Sequence, residues 1–168
     1  MIILQSDRLI LRTSKIEDAN TLHREIFSNK NVVKNTFGKE LFNLQETKAF
    51  IKNSCYLDSK LGLNTLVEKE SGEIIGLAGV LKCSYLGQVD YEFGFILAET
   101  YWGKGYASEI GKAQIDFVKN ELKEKRVLAL VHKENVSSLK CIQRLNLHFI
   151  KTVSTKDRGD REVYIKEL

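Results

Sequence analysis

A glycine-bearing segment at residues 102–107 stands between an apolar run and a long amphipathic pattern. Its glycines, Gly103 and Gly105, allow the main chain to approach a bound group closely. The first turn of a helix presents amide N–H groups that have no intrahelical partner, and the helix dipole adds partial positive charge there. The order of strand, glycine turn and helix start therefore predicts a site for an anion such as phosphate.

A carboxylate inside an apolar strand is the second chemical feature. Glu92 lies within residues 89–97, and strand alternation places it with Asp90 on the face opposite Phe93 and Phe95. A carboxylate can accept the proton of an amine, whose reference pKa is about 8 for an α-amino group and about 10.4 for lysine. Glu92 is therefore a candidate general base. The alternatives are that it faces solvent or pairs with a lysine, and that Asp90 serves instead.

Composition limits the class of protein. The 168 residues are 43% hydrophobic and 29% charged, which is typical of one globular domain. A net charge of +4 favours anionic partners but is too small for a dedicated nucleic-acid binder. No apolar run approaches the length of about 18 residues that a membrane span needs. Three separated cysteines predict buried thiols in a reduced, cytoplasmic compartment.

Hydrophobic periodicity predicts the order β-α-α-β-β-β-α-β-α-β-β, which is one α+β domain over residues 1–168. The first helix is expected to begin at Ser14 or Asp18 and to reach Phe27. The other predicted helices cover residues 44–57, 104–122 and 136–145. The predicted strands cover residues 8–12, 63–68, 74–81, 88–97, 126–132, 147–153 and 161–166. Residues 28–43 and 154–160 are expected to be irregular.

These motifs, taken in order, resemble the GCN5-related N-acetyltransferase (GNAT) superfamily, and most of all its ribosomal-protein N-terminal acetyltransferase branch. Trp-Gly-Lys-Gly-Tyr-Ala aligns with the family's pyrophosphate signature, Gln/Arg-x-x-Gly-x-Gly/Ala, except that Trp102 replaces Gln or Arg. Residues 135–147 are similar to its Asn-x-x-Ser helix. The segments 6–12, 72–79 and 91–97 are similar to its opening strand, a hairpin and its fourth strand.

The resemblance implies a mixed, mostly antiparallel sheet of about seven strands, flanked by helices, with a splayed cofactor cleft. It implies acetyl-CoA as co-substrate, with the pantetheine arm paired to the fourth strand and the pyrophosphate on the amides of the glycine turn. The cofactor-binding residues that it implies are Phe95, Ile96, Leu97, Trp102, Gly103, Lys104, Gly105, Tyr106, Ala107, Ser108 and Asn135. Structural alternatives stay open: Trp102 packs against the core, Lys104 is solvated, and Asn135 is a helix cap.

The resemblance also implies the catalytic residues. Glu92 would be the base, and the family's tyrosine that assists the departing thiolate is replaced by Ile142. Ser138, one turn earlier on the same face, resembles the serine of the ribosomal-protein branch. Its alternative role is a hydroxyl that bonds to the main chain at the helix start, and solvent could protonate the thiolate instead.

The expected activity is direct transfer of acetyl from acetyl-CoA to a primary amine, either a peptide or protein N-terminus or a small amine. Residues 20–60 and 154–161 would select that amine, with His23, Phe27, Phe37, Tyr56 and residues 157–160 as candidates. The acceptor itself is not predicted. No nucleic acid, membrane or metal is expected, and a homodimer is left open.

The sequence also bears on two other classes of protein. A nucleotide-binding enzyme needs a Walker sequence or Gly-x-Gly-x-x-Gly, and the sequence contains neither. A non-catalytic acyl-CoA-binding sensor or interaction domain on the same fold remains the alternative, because Trp102 and Ile142 both depart from the family pattern.

Overall fold

The computed structural model describes residues 1–37, 41–55 and 57–168. Within these ranges the chain forms one sheet of eight strands. The strands are β1 (Ile2–Gln5), β2 (Leu9–Arg12), β3 (Gly62–Glu68), β4 (Ile74–Cys83), β5 (Asp90–Leu97), β6 (Arg126–Val131), β7 (His148–Thr155) and β8 (Gly159–Glu167). The α-helices are α1 (Ala19–Leu22), α2 (Lys30–Val33), α3 (Leu44–Ser54), α4 (Tyr106–Asn120) and α5 (Val136–Arg144). A 3-10 turn, Ile16–Asp18, precedes α1, and a π-helical turn, His23–Phe27, continues it to the predicted end at Phe27.

The spatial order of the strands is β1-β2-β3-β4-β5-β6-β8-β7, and every neighbouring pair is antiparallel except β5 with β6. This parallel pair has a single register position, Glu92 opposite Leu128. The rest of β5 pairs only with β4, from Gly76 opposite Leu97 to Cys83 opposite Asp90. The two parallel strands therefore separate beyond Glu92, and a cleft opens along one edge of β5.

Helices cover both faces of the sheet. On one face, α1 and α3 bury a cluster that includes Leu22, Ile51 and the sheet residue Ile96. On the other face, α4 and α5 pack against Phe93 and its neighbours. The alternation predicted for β5 is what gives each face its own core, because Phe93 and Ile96 point in opposite directions. The cleft between β5 and β6 thus has a different wall on each side.

Local sequence sets the helix starts. Asn43 precedes α3, and its side chain accepts a hydrogen bond from the amide of Glu46 while the carboxylate of Glu46 bonds the amide of Asn43. This reciprocal pair satisfies two of the amides that a helix start leaves without partners. Asn135 caps α5 in a similar way, with its Oδ1 accepting from the amide of Ser138 at 3.2 Å.

The predicted α+β class and mostly antiparallel sheet are confirmed, but the count of about seven strands is one too low. The missed strand, β1, is four residues long and uniformly apolar up to Gln5, so it lacks the alternation that marks a strand. Residues 28–43 are not wholly irregular, since α2 begins at Lys30.

Two further predicted boundaries differ from the structure. The helix predicted to reach residue 57 ends at Ser54. The final hairpin has a turn shorter than residues 154–160, because β7 reaches Thr155 and β8 starts at Gly159. Among the described residues, no helix is long and apolar enough to cross a membrane.

Candidate active site

The glycine turn leads directly into α4. Gly103 and Gly105 have φ values of 71° and 82°, in the left-handed region that side chains rarely adopt, and Gly105 is the N-cap of the helix. The amides of residues 103–108 donate to no acceptor within the described part of the chain. Residues 102–105 are also exposed. The turn therefore presents a continuous set of main-chain donors to an outside ligand.

The N-terminal segment braces this turn. Arg8 donates from Nη1 to the carbonyl oxygen of Lys104 at 2.9 Å, and its Nε donates to Glu109 at 2.7 Å. Ser6 also donates to Glu109, at 2.6 Å, and the Arg8 guanidinium lies 4.2 Å from the centre of the Tyr106 ring. These contacts hold the pKa of Glu109 below its usual value despite partial burial. Arg8 is a positioning residue that the sequence did not single out.

The side chains of the turn make contacts within the protein. Tyr106 is buried in the core, and the ammonium of Lys104 lies 5.2 Å from the centre of the Tyr101 ring. The hydroxyl of Ser108 lies 3.8 Å from the Cys141 sulfur of α5. Ala107 is half-buried. Of the charged side chains at the turn, Arg8 is paired with Glu109 and Lys104 is exposed, so the main-chain amides are the donors that the fold holds in fixed positions.

Trp102 connects the turn to the end of β5. Its indole N–H donates to the carbonyl oxygen of Leu97 at 2.9 Å, while 45% of the residue stays exposed. The amide of Ala98 donates to β4, so the main-chain groups of Ile96 are directed to β4 as well. The main-chain groups of Phe95 and Leu97 therefore face the cleft. The carbonyl oxygen of Leu97 already accepts the hydrogen bond from the Trp102 indole.

A cavity of about 820 Å³ lies where β5 and β6 separate. Both strands line it, with Glu92, Phe95 and Ile96 from β5 and residues 129–131 from β6. Three phenylalanines, Phe37, Phe42 and Phe50, form part of its wall. The cavity therefore combines an aromatic wall with polar and charged side chains such as Glu92 and Arg158, which can bind and orient a small molecule.

Glu92 lies at the point where the strands part, and it is 4% exposed. Its Oε1 accepts from Nη2 of Arg158 at 2.9 Å, whereas its Oε2 is buried and has no hydrogen-bond partner in the described protein. Burial raises the pKa of the Glu92 carboxyl, and the nearby charge of Arg158 opposes that rise. A buried acceptor with spare capacity and a raised pKa has the properties of a general base.

Asp90, the alternative base, is engaged elsewhere. Its two carboxylate oxygens accept from Nε and Nη2 of Arg126 at 2.6 and 2.7 Å. Asp90 is 3% exposed and is not among the residues that line the cavity. The structure therefore favours Glu92 over Asp90 for contact with an acceptor amine.

Helix α5 brings three predicted positions to the cavity, Asn135, Ser138 and Ile142. Asn135 performs its structural role as the N-cap, while its side-chain amide nitrogen has no partner among the described residues. Ser138 is half-buried, and its amide, rather than its hydroxyl, bonds the cap. Both side chains thus retain hydrogen-bonding capacity toward the cavity.

Only some of the residues expected to select the acceptor line the cavity. Phe37 lines the cavity, but Phe27 is fully buried behind it, with the two ring centroids 5.2 Å apart. His23 lies outside the lining, with its Nε2 3.0 Å from the carbonyl oxygen of Phe42. Tyr56 lies outside the described residues.

Within residues 157–160, Asp157 and Arg158 reach the cavity. Tyr85 also lines it and was missed by sequence reasoning, while Arg161, another lining residue, fell within the predicted range 154–161 but was not singled out. The only signal for Arg161 was its charge within a strand that alternates polar and apolar residues.

Comparison with known proteins agrees with this geometry. The family model described as "Acetyltransferase (GNAT) domain" matches residues 8–148, and the chain therefore belongs to the GNAT acetyltransferase family. One relative is the uncharacterized N-acetyltransferase p20 of Bacillus licheniformis, which is 29% identical over 150 residues, with 85% of this chain and 80% of that protein covered.

Two solved structures have the same fold. A GNAT-family acetyltransferase from Bacillus anthracis superimposes with a TM-score of 0.81 at 22% identity, covering 99% of this chain and 98% of that one. RimL, a ribosomal L7/L12 α-N-protein acetyltransferase in complex with coenzyme A, superimposes with a TM-score of 0.80 at 16% identity, covering 100% of this chain and 98% of that one.

Proposed function

We propose that this protein is an acetyl-CoA-dependent N-acetyltransferase that transfers acetyl directly to a primary amine. The observation that carries the proposal is the position of Glu92, a buried carboxylate with one unpartnered oxygen, at the point where β5 and β6 separate. Membership of the GNAT family and the cleft beside β5 support it.

The residues present fit acetyl-CoA. The amides of residues 103–108 would hold the pyrophosphate, because they lack acceptors and stand at the positive end of α4. The main-chain groups of Phe95 and the amide of Leu97 would pair with the pantetheine arm, as an extra strand pairs with a sheet edge. Ile96 lies between them, Trp102 fixes the Leu97 carbonyl, and Asn135 offers its free amide nitrogen from the opposite wall.

The bound acetyl-CoA supplies an acetyl group activated as a thioester. Glu92 takes the amine's proton, directly or across one water molecule, so that the nitrogen lone pair can attack the thioester carbonyl carbon. The new C–N bond forms as the C–S bond breaks, and the thiolate leaves with the electron pair. Holding the two reactants in attack geometry supplies roughly 7–11 kcal/mol, so Glu92 has only the proton transfer to contribute.

The Ser138 hydroxyl is the side-chain donor that we assign to the departing thiolate. It lines the cavity from the first turn of α5, whereas Ile142, one turn later, has no proton to give. A serine hydroxyl donates a hydrogen bond to the thiolate and keeps its own proton. The nitrogen loses its second proton as it becomes an amide, and a proton from solvent neutralises the thiolate.

The test is release of free coenzyme A thiol when the protein is supplied with acetyl-CoA and a panel of amines. Amine-dependent release, with the acetylated amine identified by mass spectrometry, is the expected result. The alternative function, an acyl-CoA-binding sensor, predicts calorimetric binding of acetyl-CoA without turnover on any amine. That second outcome would contradict the proposed activity while leaving the cofactor site intact.

A further inference from the structure

The charges inside the cavity do not balance. Glu92 and Arg158 form an ion pair at 2.9 Å and offset each other. Lys156 and Asp157 are adjacent, exposed and of opposite sign at the rim. Arg161 is a third cation in the lining. Its side chain forms no ion pair with a carboxylate in the described part of the chain.

Arg161 is buried, and its hydrogen-bond partners are neutral. The residue is 4% exposed, and its guanidinium donates only to two carbonyl oxygens, that of Asp160 at 2.9 Å and that of Thr36 at 3.4 Å. Burial and the positive charge of Arg158 lower the pKa of Arg161. Buried arginines are normally paired with an acid because an isolated buried charge is costly. Arg161 is therefore held ready for an anion that the folded chain does not supply.

We propose that the acceptor is a primary amine that also carries a carboxylate or phosphate group, and that Arg161 binds this anionic group. This inference rests on the proposed acetyltransferase function and specifies its substrate class. The guanidinium has unused N–H donors in a planar fork, which matches the two oxygens of a carboxylate or a phosphate.

Glu92 and Arg161 would each contact a different group of the acceptor. Glu92 in β5 takes the proton of the amine, and Arg161 in β8 takes the anion, within one cavity of about 820 Å³. Both side chains line this one cavity, so a single small molecule can contact both. Polyamines and aminoglycosides bring further cations into a cavity that already has an excess of positive charge, and they are poor acceptors for that reason.

The experiment measures kcat/KM for matched amines by thiol release, corrected for the fraction of unprotonated amine. One pair is β-alanine and its amide, and the other is O-phosphoethanolamine and ethanolamine, with spermidine and kanamycin as cationic amines. We expect the anionic member of at least one pair to be favoured by about tenfold or more, as for a charge-assisted hydrogen bond. The pair with the larger ratio identifies the anion as carboxylate or phosphate.

Substitution then tests the residue. Arg161→Gln is expected to remove the preference through KM, while Arg161→Lys, which keeps the charge without the fork, retains part of it. Arg24→Gln is the matched control, because Arg24 is an exposed arginine that does not line the cavity. Calorimetric binding of acetyl-CoA to each variant shows that it is folded.

Three outcomes would overturn the inference. Equal or better acetylation of the uncharged or cationic amines would refute it while the acetyltransferase function stood. So would a fall in rate for Arg161→Gln that left the ratio within each pair unchanged. If acetyl-CoA bound and no amine were acetylated, the proposed function would fail and the inference with it.

Discussion

The two halves of the cleft present different kinds of chemical group to their ligands. In the cofactor half, which we define as residues 102–108 with the free edge of β5, the chemical groups are main-chain amides and carbonyls. In the acceptor half, the cavity around Glu92, Arg158 and Arg161, they are side chains from two distant strands and the turn between β7 and β8. The first arrangement depends on backbone conformation and the second on residue identity, so substitutions should affect the two halves differently.

The largest effect is expected in the acceptor half. Glu92→Gln should lower kcat/KM at neutral pH by about 100-fold, because general-base catalysis contributes a factor of this order. Its activity should recover in part as the pH rises and the amine loses its proton unaided. Since burial raises the Glu92 pKa, wild-type activity should fall as the pH drops through that raised value and the carboxyl becomes protonated. A pH profile of kcat/KM for both proteins is the measurement.

Asp90→Asn is the matched control for that variant. Asp90 lies two residues away, and its carboxylate is paired with Arg126 outside the cavity. Its substitution should lower the midpoint of thermal unfolding while the folded protein keeps its kcat. Loss of turnover comparable to that of Glu92→Gln would show that the base has been assigned to the wrong carboxylate.

The next effect concerns backbone conformation in the cofactor half. Gly105→Val places a branched side chain at a φ of 82°, so the turn must leave its present conformation. Strain of this kind costs about 1–3 kcal/mol, and the Kd for acetyl-CoA should rise by about tenfold or more. Gly72→Val introduces the same strain at a φ of 73° in the β3–β4 turn, with open space around it. Calorimetry should show weakened binding only for Gly105→Val, and equal Kd values for the two variants would contradict the role of the turn.

Bracing of the turn should have a smaller effect. Arg8→Ala removes the hydrogen bond to the Lys104 carbonyl and the ion pair with Glu109. One such hydrogen bond is worth about 0.5–1.5 kcal/mol, so the Kd for acetyl-CoA should rise by about two- to tenfold with kcat unchanged. Arg24→Ala, which breaks an exposed pair with Glu25, should leave the Kd as it is. A change in kcat without a change in Kd would show that Arg8 acts in the transfer reaction and does not stabilise the cofactor-binding turn.

The smallest effect is expected for a side chain of the turn itself. Lys104→Ala should change the Kd for acetyl-CoA by less than about threefold, because an exposed and screened charge contributes little. Calorimetry at two salt concentrations measures it. A rise of about tenfold that disappears at high salt would mean that the cofactor half uses side-chain charge after all.

The same division explains what the sequence could predict. The glycine turn, the helix after it and the position of Glu92 follow from local pattern, and the structure places them as expected. The partners of Glu92 could not be found in this way, since Arg158 is 66 residues away and meets it only through the β8 pairing. Arg161 lay within the predicted range 154–161, but its place in the cavity could not be found from local pattern for the same reason. Strand β1 was missed because four residues carry too little pattern, and its pairing with β2 is tertiary information.

The most direct test of the account is a two-dimensional ¹H–¹⁵N NMR titration of the protein with coenzyme A. If the diphosphate is held by bare amides where the sheet passes into α4, the largest shifts should fall on the amides of residues 103–108. Saturable binding that shifted the signals of other residues, and left the amide signals of residues 103–108 unchanged, would contradict this account of the cofactor site.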